Sequence, residues 1–260
     1  MKKYFNFLKN HIFKVDEYNQ FNLLVDDFKI INKLNCKHYG VIERTYLYNG
    51  LSLFSPALNK RKKITIFDYK FKSFQTKRTG KQTSWLKKSN FEFIHYDYDI
   101  VDEFNNFKLN FLDIDCDFII IPNVVHHCSN FELFIKLLVK KIPSLKYIYI
   151  FDSSLRETHQ FPYDFARQTP SSINNIMKMI NFKKIYYNEI GNAFDVLLYF
   201  FSQSKEIFNN KSNKKIKNLT NELIPLFKNK RNISKWKGLG RDYAKLYSAY
   251  SMIYEVKTKK

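Results

Sequence analysis

Cysteine is scarce in this chain. The 260 residues hold three, Cys36, Cys116 and Cys128, scattered along the sequence. That rules out a disulfide framework and leaves buried or bystander thiols in a reducing compartment as the expectation. No group of His, Cys, Asp and Glu has metal-ligand spacing, and the adjacent pair His126-His127 does not make a metal site by itself. Long apolar runs are also missing: none approaches the roughly 20 residues that cross a bilayer. The opening MKKYFNFLKNHIFK is basic and aromatic, without an apolar core or a small-residue cleavage site, so it does not read as a signal peptide. The expectation is a cytoplasmic protein with no membrane span. Glycine is thin at six residues, and acids are outnumbered, 24 against 44 Lys and Arg, for a formal charge of +20.

What is present is a foldable chain. Hydrophobic residues make up 45% and aromatics 18%, enough to build a core and too much for a disordered protein. The basic excess lies in Lys60–Lys63 with Lys70–Lys88, and in the tail from Lys205 onward. Such a balance fits a nucleic acid, an anionic membrane surface or an anionic substrate. It equally fits a codon bias, because the chain is rich in Lys, Asn, Ile, Phe and Tyr together.

The densest information lies between Asp117 and Pro170. DFIIIPNVVHH is a buried strand running into a polar edge. FELFIKLLVKKI places Phe131, Phe134, Leu137 and Leu138 at helical spacing, and YIYIF is a second apolar strand. Strand, helix, strand with fully apolar strands is the βαβ pattern of a parallel sheet covered on both faces. Ligands of such sheets sit beyond the carboxyl ends of the strands, which is where His127 and the Asp152–Arg167 tract fall.

Upstream, Asp16 to Leu34 carries a helical apolar stripe (Phe21, Leu24, Val25, Phe28, Ile31, Leu34) and shows no chemistry. VIERTYLYNGLSL reads as a strand ending in Glu43, a turn with Asn49-Gly50, and a helix from Ser52. That arrangement lets a ligand approach backbone amides, although an acid at a strand end is also an ordinary structural feature. KITIFDY is a strand ending in Asp68, about 25 residues after Glu43, close to where a dinucleotide-type unit places its ribose carboxylate. A carboxylate suits a vicinal diol because it accepts two hydrogen bonds. FEFIHYDYD is a further strand carrying Asp97 and Asp99.

Downstream, SSINNIMKMINF predicts a capped helix, and Phe182–Ile190 with Phe194–Gln203, around Gly191-Asn192, predicts a hairpin. Residues 205–217 read as a Lys/Asn-rich linker. The remainder reads as helices, the second with a stripe of Tyr243, Leu246, Tyr247 and Tyr250. The expected organisation is a helical arm over 1–37, an α/β domain over 38–204, and a basic linker with a helical extension over 205–260. Its sheet is Rossmann-like, seven-stranded and mostly parallel, closed by the hairpin and covered by helices on both faces.

Across roughly residues 38–203 this pattern resembles the class I S-adenosylmethionine-dependent methyltransferases. VIERTYLYNGLSL is similar to the family's first motif, with the departure that its first glycine is absent and Thr45 and Tyr46 stand near that place, leaving Gly50. PNVVHHC resembles the fourth motif. RETHQFPYDFARQTP resembles an R-E-x-H-Q-x-P-x-D-Y/F-x-R-x-T-P segment of small-molecule and sugar-type methyltransferases. The resemblance implies S-adenosylmethionine as cofactor, lined by Glu43, Gly50, Asp68 and Asp97, with Asp68 at the ribose and Asp97 near the adenine. It implies a small-molecule acceptor, a hydroxyl of a sugar or nucleotide-linked metabolite. His127 is the candidate base, His126 its alternate, since adjacent rings at a strand end point in different directions. Arg156, Glu157, His159 and Arg167 form either a substrate wall or a clasp in which Glu157 or Asp164 pairs with Arg167. The rival functions are a nucleic-acid methyltransferase and a methyltransferase-like fold that only binds or scaffolds.

Overall fold

The computed structural model describes residues 25–42, 63–68, 92–97, 104–105, 115–154, 164–190, 218, 222 and 249–257. For 63–68 and 92–97 the backbone alone is described. The described elements run α1 (Val25–Lys33), β1 (His38–Ile42), β2 (Lys63–Asp68), β3 (Glu92–Asp97), β4 (Phe118–Pro122) and a 3-10 turn (Val125–His127). They continue with α2 (Phe131–Lys141), β5 (Tyr147–Ser153), α3 (Pro170–Met179), β6 (Phe182–Ile190) and β7 (Ala249–Val256).

The strands form one seven-stranded sheet in the order β3-β2-β1-β4-β5-β7-β6. β1 to β5 pair parallel throughout. β7 runs antiparallel to both β5 and β6. The mixed, Rossmann-like sheet expected from the apolar strands is therefore present, and all five parallel strands finish at one edge.

Alternation along β5 assigns the two faces. Ile148 and Ile150 join Phe134, Ile135 and Leu138 of α2, Ile173 and Met177 of α3, and Tyr250, Met252 and Tyr254 of β7 in the main core. The intervening Tyr149 turns to the opposite face, where its hydroxyl donates to Asp27 of α1 at 2.7 Å. Helices thus cover both sides, as near-continuous apolar strands require. Asp117 sets the opposite edge in register: its carboxylate accepts from the Lys37 and His38 amides, and its carbonyl from the Lys146 and Tyr147 amides.

One reading is corrected. The stretch around Tyr250 is a strand, and Ala249–Val256 inserts between β5 and β6. The Tyr243–Tyr250 stripe looked helical, but from Ala249 onward alternation decides: Tyr250, Met252 and Tyr254 face the core while Glu255 opposes Tyr147 across the ladder. The antiparallel partner of β6 therefore comes from the end of the chain, and the sheet extends past residue 204. Phe194–Gln203, read as that partner, lies outside the described residues, as do the predicted linker and the helix from Ser52.

The scarcity of glycine leaves a mark on the turns. Among the described residues the non-glycine positions with left-handed backbone are Asn35, Asn123 and Asn181 (φ 52°, 52° and 68°). Asparagine tolerates this region better than other side-chain-bearing residues and commonly ends helices in place of glycine. Asn35 follows α1. Asn181 follows α3, its carbonyl accepting from the Lys257 amide at 3.0 Å and so tying that helix to the end of β7.

Gly40, in the middle of β1, is needed for a different reason. A Cβ placed there would lie 2.5 Å from Ile119 Cδ1 and 3.2 Å from Cys116 Sγ. Both neighbours are in the core, with Ile119 fully buried, so the methyl has little room to retreat. Gly40→Ala is expected to lower stability by about 1–3 kcal/mol in urea unfolding, the usual cost of overpacking. Ile119→Val in the same chain should recover part of that loss, and no recovery would mean the strain lies elsewhere.

Candidate active site

The carboxyl edge of the parallel strands collects the candidate residues in two groups. The first lies at β2 and β3, where Asp68 and Asp97 are direct partners in the parallel register. β1 stands beside them, its last residue Ile42 paired with Phe67. Glu43 and Gly50, expected at the same place, lie outside the described residues, and so do Arg156, Glu157 and His159.

The second group is built where β4 and β5 end. Pro122 pairs with Phe151. Asn123 then turns left-handed and donates its amide to the Phe151 carbonyl at 2.7 Å, tying the two strands together. The chain coils into the 3-10 turn, whose His127 amide bonds the Val124 carbonyl at 2.9 Å. Asn105 clamps the exit of the turn: its side-chain amide donates to the His127 carbonyl at 2.8 Å and accepts from the Ser129 amide at 2.9 Å. Asn130 caps α2 by accepting from the Leu133 amide at 3.0 Å.

His126 and His127 are both buried, at 1% exposure each, and their rings lie 4.1 Å apart at 51°. The adjacent imidazoles, expected to diverge, lie against each other with tilted planes. His126 meets Asp152, the acid one residue before the end of β5. Three N–H groups converge on that carboxylate: His126 Nδ1 at 2.8 Å and the Ser153 amide at 2.8 Å on Oδ1, and the His126 amide at 3.2 Å on Oδ2. A carboxylate in that position accepts only, so the proton of His126 sits on Nδ1 and the tautomer is set.

A strap from Asp164 to Thr169 crosses this edge. The Phe165 amide donates to the His126 carbonyl at 2.8 Å, and the Tyr250 hydroxyl donates to the Gln168 carbonyl at 2.8 Å. Arg167 grips Asp164 with both terminal nitrogens, the Nη2 to Oδ2 bond measuring 2.8 Å. Of the two readings of Arg167, the clasp with Asp164 is the contact observed. The strap ends where Thr169 caps α3, accepting from the Ser172 amide at 3.1 Å, with Pro170 at the first helical position.

Three polar residues had no assigned role in the sequence. Asp152 was visible as the first residue of the polar tract, and a strand-end acid followed by two serines was its signal. Asn105 lies 22 residues from the turn it clamps and left no local trace. Asp27 sits inside an apolar helical stripe, yet it is fully buried and accepts from the hydroxyls of Tyr149 and Tyr186 and from the Asn188 amide. Among the described residues no three His, Cys, Asp or Glu side chains come together in a way that could hold a metal ion. No helix among them is long and apolar enough to cross a membrane.

No protein-family model matches the chain, and no curated protein matches it. Solved structures resemble it at low identity. A SAM dependent methyltransferase from Archaeoglobus fulgidus is 13% identical with a TM-score of 0.49, covering 97% of this chain and 99% of that one. A SAM dependent methyltransferase from Aquifex aeolicus is 18% identical with a TM-score of 0.44, covering 70% of this chain and 92% of that one. Coclaurine N-methyltransferase, solved with N-methylheliamine and SAH, is 11% identical with a TM-score of 0.47, covering 90% of this chain and 70% of that one.

Proposed function

We propose that the protein is an S-adenosylmethionine-dependent methyltransferase acting on a small-molecule hydroxyl, on a sugar or a nucleotide-linked metabolite. The observation that carries this reading is the shared edge. Asp68 and Asp97 end neighbouring strands in direct register, and the His126, His127 and Asp152 cluster ends β4 and β5 on the same side of the sheet. With adjacent strands about 4.8 Å apart, β1 separates the ends of β2 and β4 by about 10 Å, a span that one nucleoside-bearing cofactor bridges.

The residues fit such a ligand. Acidic residues at the ends of adjacent strands suit ribose hydroxyls and, in the neighbouring position, an adenine amine, because a carboxylate accepts hydrogen bonds. Bound S-adenosylmethionine supplies an electrophilic methyl on a sulfonium. The chain holds the acceptor in line with that methyl and keeps water away, which supplies much of the rate in such a transfer. His127 takes the proton of the acceptor hydroxyl, an imidazole being suited to that near neutral pH. Glu43 and Gly50 belong to the cofactor side, and Arg156, Glu157 and His159 to the acceptor side, while Arg167 holds the strap through Asp164.

Calorimetry with S-adenosylmethionine or its demethylated product is the direct test. Binding is expected in the micromolar range. Asp68→Ala should weaken it about tenfold to a hundredfold, the loss of hydrogen bonds to a charged acceptor. No heat of binding at about 1 mM cofactor would leave the scaffold reading standing. The charge of +20 keeps one rival open. Methylation of RNA, with affinity falling steeply as salt rises, would move the acceptor from a small molecule to a nucleic acid.

A further inference from the structure

The geometry points to Asp152 as a positioning residue: through His126 it fixes the ring against which the candidate base His127 is seated, and it couples that seat to the strap. Its carboxylate takes three N–H donors, two of them from His126 itself, one backbone and one ring. Ring and backbone of His126 are therefore held from the end of β5. The strap holds the same residue from the other side through its carbonyl. His127 follows directly in the chain, with its ring 4.1 Å from that of His126 and its carbonyl gripped by Asn105. Rotation of the His126 ring would break its bond to Asp152 in a site closed to water, where the side chains are 0% and 2% exposed, and would disturb its contact with His127. A carboxylate that fixes one imidazole, which in turn walls a second, is an orienting arrangement for a base.

An amide at position 152 cannot repeat this. Asparagine offers one acceptor oxygen, enough for the ring and Ser153 donors, and then turns its NH2 group toward the His126 amide, donor against donor. The proposal rests on the methyltransferase reading for the meaning of His127, but not for the geometry, so the two can fail separately.

The test uses the full chain labelled with nitrogen-15 at the histidine rings, wild type and Asp152→Asn, with cofactor calorimetry and steady-state transfer to the acceptor found by screening. Wild type is expected to show one ring with the proton held on Nδ1. In Asp152→Asn that signature should be lost and a second ring, that of His127, should shift or broaden with it. Turnover should fall about tenfold to a hundredfold while the KM for S-adenosylmethionine changes less than about threefold, the pattern of a displaced orienting shell. An unmoved His127 signal, or turnover equal to wild type, overturns the positioning role. Failure of wild type to bind cofactor sinks the methyltransferase reading instead, and the ring signals still decide the geometry. Should Asp152→Asn not fold, His126→Gln replaces it: the glutamine amide keeps a donor on Asp152 but removes the ring beside His127. The same shift and loss are expected, and their absence overturns the proposal.

Discussion

Asp27→Ala is expected to cost about 3–5 kcal/mol of folding stability. Asp27 is fully buried on α1 and accepts from Tyr149 at 2.7 Å, Tyr186 at 2.8 Å and Asn188 at 3.0 Å. Those donors come from β5 and β6, which do not pair with each other because β7 lies between them. The carboxylate thus joins three elements across one face of the sheet. Alanine leaves the fully buried Tyr149 hydroxyl without that acceptor and takes one partner each from Tyr186 and Asn188. Each hydrogen bond to a charged group is worth about 1.5–3 kcal/mol, and removing one side of a buried polar set costs more than the set contributed. Against a typical total of about 5–15 kcal/mol, the variant should sit near the edge of folding. Equilibrium urea unfolding measures it. Asp27→Asn should lose less, since its oxygen still accepts from one or two donors. Asp27→Ala combined with Tyr149→Phe should lose less than the separate losses imply, because both variants remove the same hydrogen bond. A change below about 0.5 kcal/mol in Asp27→Ala would show that water or another group replaces the acceptor.

The second large effect is alkaline. Burial pushes the phenols of Tyr39, Tyr149 and Tyr254 well above their ordinary value of 10, with Asp27 adding to the shift at Tyr149. Burial also pushes the Cys116 thiol from 9.0 up to about 12, helped by Asp117 and Asp115 and opposed by a hydrogen bond from the Gly40 backbone. The folded chain therefore keeps protons that the unfolded chain releases. Stability from these groups is intact below the unfolded values and falls as pH rises past about 9 for the thiol and 10 for the phenols. Each group removes about 1.4 kcal/mol for every pH unit above its unfolded value, until its folded value is reached. By about pH 11 the four together remove several kcal/mol, comparable with the whole stability of an ordinary domain. Urea midpoints from about pH 8 to about pH 11 should fall steeply over the last two units. A flat profile would mean that these groups ionise in place.

Much of the sheet could be read from the residues. Five apolar runs became β1 to β5, with β1 beginning at His38, upstream of the expected Val41, because a parallel strand buried on both faces favours apolar side chains along its length. The same logic placed Asp68 and Asp97 at the ends of their strands, with Asp152 one residue before the end of β5. The strap was legible as a polar tract, and its Arg167 to Asp164 clasp as one of two pairings.

The misses share a cause. Tyr250 carries core-facing aromatics at spacings that suit a helix or a strand over a short run, and only the gap between β5 and β6 decides for a strand. That gap is a long-range feature, filled by a segment about 60 residues further on than β6. Asp27 carried no signal in the chain order, because its role depends on two phenols that the sheet brings to it. Which histidine meets a carboxylate was equally invisible in the chain order, because the answer depends on how the left-handed Asn123 aims the turn that follows it.

The residue order by itself therefore determined the fold class, the parallel strands and the acids at their ends, since burial on two faces writes directly into the hydrophobic pattern. Only the tertiary structure decided that β7 comes from the end of the chain, that Asp152 takes His126 and Asp27 takes the tyrosines. Those choices are made by partners distant in sequence, and hydrogen bonds between such partners leave no period to read.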